Sequence, residues 1–223
     1  MDFDINLWLK NITFRLKDIF KERVIFIGYH GSFKRGEAGA DSDIDLVVIL
    51  DKLDLYDLIN YKKLINSMPF AEKACGFISG KREIENWSKT DLFQFAFETE
   101  ALYGDIKDII SMPDKDDIVI YVKTAAESLY HALCHSFLYD KNPSESLSDL
   151  YKMSFFILQA DYYVKKGKYI PTKRELLNLL DGDEKVILTH CINKDKIHEL
   201  NDSGIDSLYE LLLNWCSRKI IKN

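Results

Sequence analysis

Two acidic residues stand at the entrance to a predicted buried strand. Asp43 and Asp45 alternate with Ser42 and Ile44 and lead directly into the apolar run 46–50. A short run rich in branched apolar residues predicts a buried strand. Side chains two positions apart on a strand point to the same face, so the two carboxylates should lie about 6.5 Å apart along the chain. Because they repel each other and gain little from burial, a divalent cation such as Mg²⁺ would stabilise the pair.

A second apolar run, residues 24–29, precedes the acidic pair and ends near Gly31 and Ser32. Glycine permits close backbone approach, serine can cap a helical turn, and exposed N–H groups at such a turn attract an anion. Lys34 and Arg35 add positive charge nearby. A strand, an anion-binding turn and a strand that opens with two acids together predict a site for a metal-bound polyphosphate.

Other interpretations of the acidic pair fit the sequence less well. A calcium loop would need glycine at its sixth position and glutamate at its twelfth, where this chain has Leu46 and Lys52. An aspartyl nucleophile of the phosphatase type would follow its apolar strand, whereas this pair precedes one. The remaining alternative is a solvated acidic turn, and the upstream glycine–serine turn argues against it.

The order Gly31-Ser32, Gly36 and then Ser42 to Leu46 resembles the signature of the polymerase-beta-like nucleotidyltransferase superfamily. The resemblance is to its small bacterial members, which include antibiotic nucleotidyltransferases. It implies Mg²⁺-dependent transfer of a nucleoside monophosphate from a nucleoside triphosphate, with ATP as the first choice. The acceptor would be a hydroxyl of a small molecule, for which an antibiotic is one candidate.

The resemblance also implies roles for individual residues. Asp43 and Asp45 would bind one or two Mg²⁺ ions and act in catalysis. The residues expected to bind the nucleotide are Gly31, Ser32, Lys34, Arg35 and Ser42.

In this family a third carboxylate often lies on the next strand, as a metal ligand or as the base that activates the acceptor. The predicted strand 74–79 instead begins with Ala74, Cys75, Gly76 and Phe77. Six substitutes stay open, namely Glu72, Glu83, Glu85, Glu98, Glu100 and Glu127. Of these, Glu72, Glu98 and Glu127 are retained as catalytic candidates, the last because some relatives place the base on a helical domain.

Glu127 also begins a series with His131 and His135 at helical spacing on one face. Such spacing can bind zinc, but it lacks the glutamate between the histidines that metalloprotease chemistry uses. We therefore interpret this face as buried or as an interface with hydrogen-bonded histidines.

The composition sets wider limits. The formal net charge of −6 argues against long nucleic acid and anionic membranes as partners. Four scattered cysteines without a closely spaced pair indicate neither a zinc knuckle nor a disulfide framework. The first residues are acidic rather than basic, and no apolar run has the length needed to span a bilayer. The expected location is a reducing cytoplasm.

The chain divides into two parts of different pattern. Helical spacing predicts helices over 5–20 and 53–68, and a short strand follows at 101–103. The charged stretch 105–117 indicates a boundary. We therefore predict an α/β (α+β) nucleotidyltransferase domain with a mixed sheet over residues 1–114 and an all-α helical bundle, the acceptor-binding domain, over 115–223. The bundle helices are predicted at 118–139, 147–166, 173–180, 184–190 and 207–221.

Two further functions stay open at this point. One is a catalytically weak or inactive nucleotidyltransferase-fold protein that senses nucleotide or binds a partner as an antitoxin would. The other is an enzyme that adenylylates a protein. The identity of the acceptor, the base of the triphosphate and the formation of a homodimer are likewise left open.

Overall fold

The computed structural model of the protein describes residues 3–221. Contacts between residues divide the chain into two compact units, 1–113 and 114–223. The helices of the first unit are α1 (Ile5–Phe20), α2 (Gly31–Arg35), α3 (Leu55–Asn66), α4 (Lys81–Glu85) and α5 (Lys89–Glu98). Its strands are β1 (Val24–His30), β2 (Ile44–Leu50), β3 (Ala74–Gly80) and β4 (Glu100–Tyr103).

The four strands form one mixed sheet in the order β3-β2-β1-β4. β1 pairs antiparallel with both β2 and β4, whereas β2 pairs in parallel with β3. Parallel neighbours need a crossover connection, and α3 supplies it between β2 and β3. The predicted mixed sheet is confirmed.

The strand β2 is buried on both of its faces. Leu46 and Val48 pack into one apolar cluster together with α1, while Val47 and Ile49 pack into a second cluster with α4 and α5. All four side chains are fully buried. Side chains alternate between the two faces of a strand, so Asp43 and Asp45 lie on the same face as Val47 and Ile49. This is the face that packs against α4 and α5.

Capping residues account for the bounds of the predicted helices. The Asp4 carboxylate accepts hydrogen bonds from two backbone N–H groups at the start of α1, which matches its predicted range. The helix α3 begins at Leu55 rather than at the predicted 53, because Asp54 and Asp57 form a capping box. The predicted short strand is one residue longer and begins at Glu100.

The second unit is helical. Its helices are α6 (Lys115–Tyr139), α7 (Pro143–Lys166), α8 (Lys173–Leu177), α9 (Gly182–Ile192) and α10 (Asp202–Ile221). Most begin earlier than predicted, since Asp114 caps α6 and Pro143 occupies the first turn of α7, where a missing N–H has no cost.

Within the second unit, α7 packs against α6 and α9, and α6 packs against α10. Hydroxyl groups connect α10 to both α7 and α6: Tyr151 donates to the Leu208 carbonyl at 2.9 Å, and the Ser136 and Tyr209 hydroxyls lie 2.7 Å apart. No helix among the described residues is long and apolar enough to cross a membrane.

Candidate functional site

Three adjacent strands bring a row of side chains to one face of the sheet. His30 on β1 and Cys75 on β3 are both register partners of Asp45 on β2. Asp43 immediately precedes β2, two positions before Asp45. Asp43 is exposed and Asp45 is half-buried, so the pair lies at the edge of the core and open to solvent. The predicted acidic pair thus stands at the strand entrance.

Gly31 lies directly against the carboxylate of Asp45. A Cβ built on Gly31 would stand 1.9 Å from Oδ2 of Asp45, far inside any contact distance. The backbone of Gly31 also has φ +76°, in the left-handed region that favours glycine. The predicted glycine–serine turn is the first turn of the short helix α2, which ends at Gly36 in the left-handed conformation. Only glycine meets both requirements at position 31.

The loop between α2 and β2 is closed by its own hydrogen bonds. The Ser42 hydroxyl accepts from the Gly39 N–H at 2.9 Å, and the Ser42 N–H donates to the Gly39 carbonyl at 3.2 Å. Lys73, just before β3, donates to the Ala40 carbonyl at 2.5 Å. These bonds hold the segment that leads to Asp43 across the end of the sheet.

Lys34 and Arg35 connect α2 to α5. The Lys34 ammonium donates to the Phe97 carbonyl at 3.0 Å, near the end of α5. The Arg35 guanidinium binds Glu98 at 2.5 Å and Glu37 at 3.0 Å. The side chains of Arg35 and Glu98 are only 7% and 4% exposed, so this ion pair is buried. Glu98, a predicted catalytic candidate, is therefore part of the support of α2.

His30 lies among these charged groups. Burial lowers the pKa of His30, although the nearby carboxylates of Asp45 and Glu98 act in the opposite direction. Arg35 adds to the lowering. The imidazole is therefore held towards its neutral form beside the acidic pair.

The other two carboxylate candidates are exposed. Glu72 lies in a 3-10 turn just before β3, and Glu127 lies on α6 in the second unit. The alternative of a buried face with His131 and His135 is wrong, because both histidines are also exposed. The alternative of an interface face stays a prediction. The core-facing side of α6 is instead the one that carries Leu129 and Leu133.

Among residues 3–221, one group of three side chains places metal-ligating atoms together. It consists of Asp43, Asp45 and Cys75, whose ligand atoms all lie within 4.8 Å of one another. Two carboxylates and a thiol are a donor set that suits a divalent cation. The sequence identified the two aspartates but not the thiol. Predicting the thiol would have required the register of the parallel strands β2 and β3, which pairs Cys75 with Asp45.

The second unit contains a cavity of about 490 Å³ between α6, α7, α9 and α10. Two lysines and two acids in its wall form a closed network. Lys219 contacts Asp161 at 2.6 Å and Glu184 at 2.7 Å, and Lys165 contacts the same two carboxylates at 2.6 and 3.0 Å. Sequence reasoning missed this cavity, since its residues are spread over four helices.

The apolar part of the wall includes Val122, Val164 and Trp215. Trp215 is 1% exposed, and within the described part of the chain its indole N–H has no hydrogen-bond partner. A buried donor without a partner carries a desolvation cost.

The family model for a nucleotidyltransferase domain matches residues 9–133, which is more than half of the chain and includes the whole acidic site. The chain belongs to the nucleotidyltransferase family. This nucleotidyltransferase is accordingly an enzyme of nucleotidyl transfer, as its sequence motif predicted. No curated protein matches it.

Solved structures show similarity to this nucleotidyltransferase at low sequence identity. Spectinomycin adenyltransferase AAD(9) from Enterococcus faecialis, crystallised with ATP and spectinomycin, has a TM-score of 0.60 and 13% identity, over 98% of this chain and 100% of that chain. A toxin–antitoxin structure with AMP-PNP has a TM-score of 0.33 and 21% identity, over 56% of this chain and 91% of that chain. The first similarity shows the fold, a nucleotidyltransferase domain followed by a helical region.

Proposed function

We propose that this nucleotidyltransferase transfers AMP from ATP to a hydroxyl group of a small molecule, with Asp43 and Asp45 holding Mg²⁺. The observation that carries the proposal is the close approach of the Asp45 carboxylate to the backbone of Gly31, with the exposed Asp43 two positions before Asp45. The fold of spectinomycin adenyltransferase, a protein crystallised with ATP and an antibiotic, supports ATP and a small-molecule acceptor.

The acidic pair needs a cation before it can accept a triphosphate. Two carboxylates would repel the nucleotide, and a bound Mg²⁺ would offset this repulsion and polarise the phosphoryl oxygens. Asp43 and Asp45 would supply oxygen ligands from neighbouring positions. Gly31 lacks a side chain, which lets the Asp45 carboxylate lie against its backbone. The phosphate oxygens would contact the Gly31 backbone and Ser32 in the first turn of α2.

The remaining predicted nucleotide residues would act mainly by positioning. Lys34 and Arg35 are engaged with α5, so they hold α2 beside the nucleotide, and a direct phosphate contact would require either side chain to exchange partners. The Ser42 hydroxyl is engaged with the loop that leads to Asp43. We therefore place the phosphate contacts at Gly31 and Ser32.

The helical unit would bind the acceptor. Its cavity of about 490 Å³ falls within the usual range of small-molecule sites, which is roughly 300–1,000 Å³. It offers apolar surface and paired charges, and Trp215 forms part of its wall. Replacing Trp215 with Phe changes the shape of this wall and should weaken acceptor binding about tenfold while ATP affinity stays unchanged. The control is W87F, which changes a tryptophan of the first unit. Equal acceptor affinity of W215F and W87F would contradict the proposal that the cavity binds the acceptor.

The base that activates the acceptor is proposed among the exposed carboxylates. Glu127 and Glu72 are free to change contacts at the surface, whereas the ion pair with Arg35 makes Glu98 the weakest candidate. E127Q and E72Q are assayed separately. The variant that replaces the base should lose transfer rate and retain ATP binding.

Label transfer tests the function itself. The full chain is incubated with Mg²⁺ and ATP labelled at the α-phosphate, together with aminoglycosides, lincosamides, spectinomycin and candidate proteins. We expect label on a small molecule, and loss of transfer in D43N and D45N but not in the neighbouring control D41N. Transfer that persists in D43N and D45N would refute the assignment of the site.

A second function is favoured by one observation. The side chain that joins the acidic pair on β3 is the thiol of Cys75 rather than a third carboxylate. A nucleotide-binding protein with weak or no transfer activity would fit this arrangement. ATP binding that requires Asp43 and Asp45, without label transfer to any member of the acceptor panel, would support it, and label on a protein would support protein adenylylation instead.

A further inference from the structure

The parallel register of β2 and β3 fixes the position of Cys75. Cys75 is the partner of Asp45, and the next pair is Leu46 with Gly76. Gly76 has φ +122°, and a Cβ on it would stand 2.0 Å from the Leu46 carbonyl oxygen. The two strands therefore approach each other in a way that only glycine permits at position 76. A shift of this register would bring a residue with a Cβ into that contact.

The register places sulfur and oxygen donors within reach of one ion. Paired residues on adjacent strands project to the same face of a sheet, so the Cys75 thiol and the Asp45 carboxylate point the same way. Ligand atoms of Asp43, Asp45 and Cys75 lie within 4.8 Å of one another. Metal–oxygen bonds of about 2.1 Å and metal–sulfur bonds of about 2.3 Å allow an oxygen and a sulfur on one ion to lie up to about 4.4 Å apart. Small side-chain rotations would therefore bring all three ligand atoms onto one ion.

We propose that Cys75 is the third protein ligand of the cation held by Asp43 and Asp45, and that its sulfur shifts the preference of the site from Mg²⁺ towards Co²⁺ or Zn²⁺. The proposal rests on the proposed function, because it takes the acidic pair as the metal site. It goes further by assigning a ligand and a class of metal.

The chemistry of the donors gives the direction of this preference. Mg²⁺ is a hard ion that takes oxygen ligands, and a sulfur in its coordination sphere adds little. Zn²⁺ and Co²⁺ bind more tightly than Mg²⁺ to nitrogen and sulfur donors and still accept carboxylate and phosphate oxygens. A mixed set of two carboxylates and one thiolate therefore favours an ion of this intermediate kind.

The other cysteines allow the test to be specific. Cys191 and Cys216 are buried in the helical unit, and Cys134 is half-buried on α6. Cys75 is the exposed cysteine of the described chain. C134S is thus a matched control for the removal of a thiol that lies on another unit.

The test measures metal binding directly and does not depend on turnover. The full chain and the variants C75S, C75D, C134S and D43N/D45N are titrated with Co²⁺ and Cd²⁺ while the ultraviolet charge-transfer absorption of metal-bound thiolate is recorded. Mg²⁺ affinity is measured by calorimetry on the same proteins. We expect the absorption band in the wild type and in C134S, and its loss in C75S and C75D. Removing the sulfur should weaken Co²⁺ binding at least about tenfold.

C75D should retain Mg²⁺ binding and shift the ratio of Co²⁺ to Mg²⁺ affinity towards Mg²⁺, since it replaces sulfur with oxygen in the same place. A wild type that binds Co²⁺ without the band, or a C75S variant with an unchanged affinity ratio, would overturn the assignment of Cys75. The proposed function would then stand on the aspartate pair alone. Unchanged metal binding in D43N/D45N would overturn the proposed function as well, and a band of equal strength in that variant would show that Cys75 binds metal without the aspartates.

Discussion

Substitution of Gly31 by alanine tests whether the residue beside the Asp45 carboxylate must lack a side chain. The added methyl would lie 1.9 Å from Oδ2 of Asp45, and ordinary contact begins near 3.4 Å. The carboxylate must therefore move by about 1.5 Å, which is several times the roughly 0.2 Å tolerance of a metal–ligand bond. We expect Mg²⁺-dependent ATP affinity to fall by at least about tenfold, or roughly 1.4 kcal/mol.

The same substitution also strains the backbone, and Gly36 provides the matched control. Both glycines have a positive φ, +76° at Gly31 and +67° at Gly36, so alanine costs each about 1–2 kcal/mol of stability. That cost corresponds to a decrease in Tm of about 2–4 °C for each kcal/mol in a chain of this size. Nothing lies within 4 Å of a Cβ on Gly36, so G36A should lose stability without losing ATP affinity.

The assay is calorimetric titration of ATP in the presence and absence of Mg²⁺, with thermal unfolding of each variant measured in parallel. G31A should lose binding while retaining its fold, and G36A should retain binding at a similar Tm. Equal ATP affinities of G31A, G36A and the wild type would refute the reasoning that joins Gly31 to the metal site.

Two predictions concern stability. R35M should lower the free energy of unfolding by about 3–5 kcal/mol, because it removes the positive charge that is paired with the buried Glu98 carboxylate. K81M, at an exposed ion pair, should change the free energy of unfolding by less than about 1 kcal/mol. Equal losses in denaturant titrations would contradict this prediction. Burial alone would raise the pKa of Glu184, but its two lysine partners lower it from 4.5 to about 2, so its contribution to stability is present above pH 4.5 and is lost as the pH falls towards 2. E184Q should therefore show a flatter decline of unfolding free energy over that pH range than the wild type, and parallel curves would argue against the ion-pair network.

The acidic pair and its strand could be predicted because the signals are local. The alternation of Asp43 and Asp45 and the apolar run after them fix a face and a strand within ten residues. The glycine–serine turn was found for the same reason, although Gly31 begins a helix of five residues rather than an open turn. Local hydrogen bonds of the loop were not visible in the sequence, and they bring Ser42 into the support of the site.

The residues missed by the sequence depend on contacts between distant segments. Cys75 lies opposite Asp45 only because Gly76 permits the close approach of β3 to β2, and no periodicity encodes that register. The pair of Arg35 and Glu98 joins residues 63 positions apart, so each had been interpreted separately.

The buried alternative for the histidine face of α6 was wrong for a related reason. Helical spacing predicts that the histidines share one face of a helix. It does not predict whether that face is buried, because burial depends on the neighbouring helices. Leu129 and Leu133 turn the opposite side of α6 to the core and leave His131 and His135 at the surface.

The most direct test of the central claim is a crystal structure of the protein with Mn²⁺ and a non-hydrolysable ATP analogue, with the metal located by its anomalous scattering. We expect a manganese peak between the carboxylates of Asp43 and Asp45, with the triphosphate bound to the same ion beside Gly31. A nucleotide bound elsewhere, or an ion that touches neither aspartate, would contradict the account.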